Sequence, residues 1–417
     1  MATPTEDLSR VDLITPELWE DHVPHEEFAV LRAADPVHWH PEPAPNHGFW
    51  AITKHEDVVA VSKNTQVFSS GEGLTMLEEV EPESLEKRRS LIDSDAPLHQ
   101  HLRRVVSPLF TPKAINAHEA FARATASRLL DSATARSEFD WVLDVAEPLP
   151  ITVLLNILGV PGEDADRLIT LSNQMIAIDD PDYAPDYDSL PPGIDPKDLP
   201  FGSPASYHVF EYGRKIGEER RANPTDDLVS RLIHSDVDGD QLTPLEYCNM
   251  FQILILAGNE TTRTTLTHGM RAFIDNPDQL ALLKAQPALM NKAVEEIIRW
   301  ATPVLYMRRT AMEDTELRGQ QISRGDKVVM WYMSANYDED VFDDPHAFNI
   351  ARDPNPHLGF GGGGPHFCLG AWLARLQIRV VLEELIARDL RLESNGPARR
   401  VRSNFVNGVK SMPVRIA

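Results

Sequence analysis

The chain has 417 residues, 42% of them hydrophobic and 25% charged, which is the balance of a folded globular protein and excludes wholesale disorder. Forty Lys and Arg against 64 Asp and Glu leave a formal net charge of −24, so nucleic acid and anionic membranes are poor partners for the chain as a whole. Two cysteines, Cys248 and Cys368, cannot build a disulfide framework or a multi-cysteine zinc or iron–sulfur site. The stretch from Met1 to Arg10 has no basic opening and no apolar run, so no signal peptide is expected. No segment approaches the roughly 20 apolar residues of a membrane helix, and a cytoplasmic protein without a membrane anchor is the expectation.

In chain order, the aromatic and β-branched run Gly48-Phe-Trp-Ala-Ile-Thr53 predicts a strand. Asp95 to Val106 reads as a helix opened near Pro97. From Asp179 to Pro204, seven prolines among several acids rule out helix or central strand and leave a surface loop or an active-site lid. Thr243-Pro-Leu-Glu246 is a capping box with proline at the first helical position. The helix it opens should reach Asn276, a rod of about 45–50 Å, apolar nearly all round at Phe251–Ala257 and therefore buried. Helices at Pro277–Ala285 and Pro287–Trp300, strands near Arg308–Ala311 and Lys327–Met333, a helix over Leu369–Ala387 and short closing strands follow. The fold class is mainly α with small β-sheets.

Three stretches carry chemistry. Phe360-Gly-Gly-Gly-Gly-Pro-His-Phe-Cys-Leu-Gly370 has the glycines of a phosphate loop but lacks the Lys and Ser or Thr that must follow them. It holds instead a lone cysteine just before a long helix, where the helix N-terminus favours a thiolate. A single rigid thiolate suits axial ligation of haem iron; a buried inert cysteine is the alternative. Ala257-Gly-Asn-Glu-Thr-Thr262 puts a carboxylate and hydroxyls inside an apolar helix, a break in patterning that marks either function or a water-satisfied bend. Glu296 and Arg299 stand three apart on one helix face, where they can pair.

Together these motifs resemble the cytochrome P450 superfamily over essentially the whole chain. The resemblance implies one triangular haem domain over residues 1–417, with haem b (iron protoporphyrin IX) ligated by Cys368. The four-glycine loop, one residue longer than the usual signature, is similar to that of bacterial members acting on steroid side chains and methyl-branched lipids. The resemblance also makes Phe360, Gly361 and His366 haem contacts. His99, Arg103 and Arg309, the last favoured over Arg308, become further partners of the haem and its propionates. Gly258 would let dioxygen approach the long helix, and Glu260 and Thr261 would be the acid–alcohol pair of oxygen activation. Glu296, Arg299 and Arg352 would form a structural network.

Substrate walls are expected at Met76, Met175, Leu254, Val304, Leu305, Phe405 and Val406. The implied activity is monooxygenation of a C–H bond by O2, with electrons from a ferredoxin and ferredoxin reductase. The ferredoxin is expected to dock on a local basic face of Arg103, Arg104, Lys113, Arg375 and Arg379. A sterol side chain or branched lipid is the favoured substrate, with terpenes or alkyl-aromatics as the alternative. A haem sensor or carrier without turnover, and a peroxide-driven enzyme, are the readings from other classes.

Overall fold

Thr243 starts the long helix as the capping box requires: its hydroxyl accepts from the Glu246 N–H at 3.2 Å, and Glu246 Oε2 accepts from the Thr243 N–H at 2.8 Å. The helix then runs 32 residues, Pro244–Asp275, and Asn276 ends it ahead of the next helix, Pro277–Ala285. Most of its side chains are buried, because other helices pack on it, among them Pro148–Leu158, Ala165–Ile176, Pro204–Ala222, Met290–Ala301 and Ala371–Ala387. The computed structural model describes Leu8 and residues 11–235 and 241–417. Apart from Leu8, the opening stretch read above for a signal peptide lies outside the described residues.

The largest sheet has five strands in the order Val37–His40, Phe49–Ile52, Lys327–Trp331, Tyr306–Ala311, Phe68–Ser69. Only the pairing of Phe49–Ile52 with Lys327–Trp331 is parallel; the others are antiparallel. Trp331 joins sheet to core by stacking on Trp19 at 5.5 Å between ring centroids. Three smaller sheets of two or three strands complete the β structure among the described residues. The architecture is mainly α with small sheets, as read from the sequence.

Boundaries moved by one to three residues. The turn Pro287–Leu289 is a separate 3₁₀ segment ahead of Met290–Ala301. The strand from Lys327 stops at Trp331, and Tyr332–Ala335 coils into one helical turn. The last helix starts at Ala371 because Gly370 is its N-cap. The proline-rich stretch holds only short 3₁₀ turns, between Pro181 and Gly202. Among the described residues no helix is long and apolar enough to cross a membrane.

Candidate active site

The cysteine loop is shaped by close backbone contact. Gly361, Gly363 and Gly364 take φ of +93°, +88° and +77°, a region that costs side-chain-bearing residues free energy. A Cβ on Gly362 would fall 2.8 Å from Ser62 Cβ, and one on Gly364 3.0 Å from the Ser62 carbonyl. The loop therefore lies directly on the helix His55–Lys63, where Ser62 Oγ donates to the Gly363 carbonyl at 3.0 Å. The Cys368 N–H closes the loop by donating to the Phe360 carbonyl at 3.0 Å. Burial pushes the Cys368 thiol up, while the Gly370 N–H and the charges of Arg103 and Arg375 act in the opposite sense. Cys248, on the long helix, is pushed up to about 11 by burial.

Beside this loop four basic side chains converge. His99 sits on the helix Leu98–Val106, and its ring lies 4.1 Å from that of His366. Arg103, one turn on, donates to the Phe367 carbonyl at 2.7 Å. Arg309 is 3% exposed, gives Nη1 to the Arg308 carbonyl at 2.8 Å, and leaves Nε without a partner. Nε2 of His99 is likewise buried and unpartnered. Burial, then Arg309, His99 and Arg103, push His366 down to about 2, and its Nε2 lies 3.1 Å from Ser70 Oγ. Arg308 is engaged elsewhere, with the Glu78 carbonyl at 2.9 Å and Glu79 at 3.6 Å.

The middle of the long helix splits into two faces. Thr261 is partly exposed and lines a cavity together with Ala257, its Oγ1 donating to the Ala257 carbonyl at 2.8 Å. Glu260 is 1% exposed and turns away, paired with Arg263 and accepting from Thr264 Oγ1 at 3.1 Å. Arg263 also bonds Glu147 and, at 2.9 Å, Asn173. Burial holds the Glu260 carboxyl above its ordinary pKa despite Arg263. Gly258 faces Leu154, where a Cβ would sit 3.0 Å from Cδ2.

The cavity holds about 80 Å³ of free space beside the long helix. Of the walls expected from sequence, Met76, Val304 and Phe405 line it. Met175, Leu254, Leu305 and Val406 are instead core residues, at most 8% exposed. Pro200 and Phe201 bring the proline-rich segment onto the cavity, and Thr75, Arg88 and Asp93 form a polar corner not anticipated.

Glu296, Arg299 and Arg352 come together, fully buried or nearly so. Arg299 grips Glu296 with two bonds of 2.8 Å, and Arg352 Nε reaches Glu296 Oε2 at 3.1 Å. Carbonyls of Asn336 and Pro345 take Arg299 Nη1, and those of Asp343, Asp344 and Ala347 take the Arg352 terminal nitrogens. The neighbouring Glu295 binds Arg375 at 2.6 and 2.8 Å and His357 at 2.9 Å; burial raises its pKa, but these bonds outweigh burial and leave it at about 2. Arg375 also stacks on Phe360 at 4.4 Å. Arg379 is held by Glu119 and Glu383. Two of the five charges expected on a docking face are thus internal pairs.

Arg309, a buried cation whose Nε has no partner, suits an anion from outside the chain. A haem ligated by Cys368 carries two propionates, and on that ground the residues present fit the haem-thiolate class of protein. The comparisons agree. The sequence model described as Cytochrome P450 matches residues 283–397. A steroid C26-monooxygenase of Mycolicibacterium smegmatis is 41% identical, across 97% of this chain and 93% of the relative. A methyl-branched lipid omega-hydroxylase of Mycobacterium tuberculosis is 40% identical, across 98% and 95%. A Mycobacterium marinum cytochrome P450 solved in complex with pseudoionone superposes with a TM-score of 0.88 at 38% identity, covering 99% of this chain and all of that one. The chain belongs to the cytochrome P450 family and is a haem-iron monooxygenase.

Proposed function

We propose that the protein is a cytoplasmic enzyme that hydroxylates a C–H bond on a steroid side chain or methyl-branched lipid, with residues 1–417 forming one haem domain. The cofactor is haem b, and the electrons come from a ferredoxin and its reductase. The observation that carries the substrate class is the cavity: Leu74, Met76, Ile176, Val304 and Phe405 give it apolar walls, and the two relatives named above act on such molecules. Bound haem would supply the redox chemistry by which a substrate C–H bond, dioxygen, two electrons and two protons yield one C–OH group and one water.

The chain's own residues set where protons and substrate stand. Cys368 is offered as the ligand by a loop that lies on Ser62 and is bonded to it, and His99, Arg103, Arg309 and His366 anchor the propionate edge. Thr261 presents its hydroxyl to the cavity. Glu260 lies behind it, paired with Arg263, so it must turn toward Thr261 to relay a proton. The segment 179–204 acts as a lid. It is tied at Asp180 by the buried Lys410 at 3.0 Å, and at Asp198 by Ser84 and Lys87, both at 2.7 Å.

NADH consumption with ferredoxin and reductase, with product analysis on steroids, branched fatty acids, terpenes and alkyl-aromatics, tests the reading. Turnover with peroxide alone, or haem binding with no turnover, would replace it with a peroxygenase or a carrier. In Cys368→His the ferrous carbonyl band should move from the thiolate to the imidazole position, with hydroxylation lost. Retention of the original band would remove Cys368 from its role. Thr261→Ala should leave the substrate-induced Soret shift intact while diverting most reducing equivalents to hydrogen peroxide; full coupling in that variant contradicts the proton route.

A further inference from the structure

Against its apolar walls, the cavity has one polar corner, and its donors and acceptors can be accounted for one by one. Arg88 ends the helix Pro82–Arg88, and its Nη1 and Nη2 donate to Glu78 Oε1 and Oε2 at 2.9 and 2.6 Å. That fork leaves Nε, which is buried and has no partner, on a side chain only 2% exposed. Next to it on the wall, Thr75 donates its N–H and hydroxyl to Asp93 Oδ1 at 3.0 and 2.8 Å, and Ser90 Oγ donates to Asp93 Oδ2 at 2.7 Å. Asp93 is saturated. The Thr75 hydroxyl, its proton committed, remains as an acceptor.

The corner is also stiff. Arg308 Nη1 donates to the Glu78 carbonyl at 2.9 Å, and the Leu77 N–H reaches the Tyr306 hydroxyl at 3.4 Å. Asp198 ties the proline-rich segment to Ser84 and Lys87 of Arg88's own helix, which brings Pro200 and Phe201 over the same cavity. A buried donor without a partner is costly unless a ligand supplies one. The charge of Arg88 is already matched by Glu78, and Asp93 adds a further carboxylate, so the corner does not call for an anion.

We propose that Arg88 is a specificity-determining residue: its Nε–H takes a neutral oxygen, a ketone or hydroxyl, at one end of an otherwise apolar substrate. A hydroxyl can in turn donate to Thr75. The oxygen fixes that end at the Arg88 corner and leaves the hydrocarbon end to meet Thr261 and Ala257. This rests on the reading of the cavity as a steroid or branched-lipid site. It favours a substrate already oxygenated at one terminus over a plain hydrocarbon or a fatty acid carboxylate.

The test is a Soret-shift titration of the holoenzyme with matched ligands on two scaffolds. One set is a 3-keto steroid with an intact side chain and its 3-deoxy hydrocarbon. The other is a methyl-branched ketone, the alkane of the same skeleton and the matching carboxylate. The ketones should bind about tenfold more tightly than the deoxy ligands, equivalent to about 1.4 kcal/mol. The carboxylate should bind no better than the alkane. Arg88→Met together with Glu78→Leu, which removes both charges at once, should collapse the ratio to near one while the ferrous carbonyl spectrum stays unchanged. Equal affinities on a scaffold that binds, a ratio the double variant preserves, or preference for the carboxylate overturns the proposal. A preference for oxygen on the branched scaffold alone upholds Arg88 and removes steroids from the substrate class. If neither scaffold binds, the substrate class falls, and the Arg88 assignment with it.

Discussion

Around Glu296 every charge meets a partner inside the protein, whereas around Arg309 and His99 donors are left over. Both regions bury charge at similar depth, with Glu296 and Arg299 at 0% exposure and His99 and Arg309 at 3%. In the first, one carboxylate is gripped by two guanidiniums, and six carbonyl bonds absorb what remains of the positive charge. In the second, two buried nitrogens have no partner, and Arg103 and Arg309 stand close to His99 with Asp95 the carboxylate that acts on it. The difference sets a self-paired network, which suits a role in the fold, against a cluster with open donors, which suits an anion. Burial alone does not distinguish them; completeness of pairing does.

The comparison makes opposite demands on stability. Glu296→Gln strips the anion from two buried arginines and should cost about 3–5 kcal/mol. Urea unfolding should show that loss in haem-free and haem-loaded protein alike, and a loss confined to the loaded form would merge the two regions into one function. Arg309→Met should act the other way round. The haem-free protein should be as stable as wild type or more so, because a buried unpaired cation is gone. Transfer of haem to a scavenger should accelerate about 10–100-fold, the worth of one or two charge-assisted bonds. Equal haem retention would strike Arg309 from the propionate site.

The smallest expected effect is a pH dependence between the two regions. Glu295, whose folded pKa of about 2 lies below its ordinary value, contributes stability that is fully present above about pH 4.5 and is lost as the pH falls toward 2. Glu295→Gln should flatten that part of the stability profile measured by thermal unfolding. An unchanged acid limb would show that Arg375 and His357 gain nothing from the pairing.

What could be read from sequence was mostly local. The capping box at Thr243, the pair at Glu296 and Arg299 and the glycine loop before Cys368 are written within a few residues each, so spacing rules reach them. The spacing of three that joins Glu296 to Arg299 is equally visible in Glu260 and Arg263, and there it signals that the carboxylate is held away from the cavity. Contacts across long separations left no such signal. Arg375 meets Glu295 across 80 positions, and Arg379 meets Glu119 across 260. A count of basic residues near the cysteine loop therefore overstates the charge presented to a partner. The cavity walls were half legible for the same reason: apolar residues on the right segments face either the cavity or the core, and composition does not say which.

The seat of the cysteine loop on Ser62 has a consequence for biogenesis. The contact from Ser62 to Gly363 spans 301 positions, so it adds to the long-range contacts that slow folding. A ribosome must have released the chain through Gly363 before the loop finds the helix His55–Lys63. Until then the glycines have nothing to lie against and the thiol has no fixed position. Haem capture through Cys368 should therefore follow synthesis of the loop, and nascent chains stalled short of Cys368 should emerge colourless even where haem is plentiful.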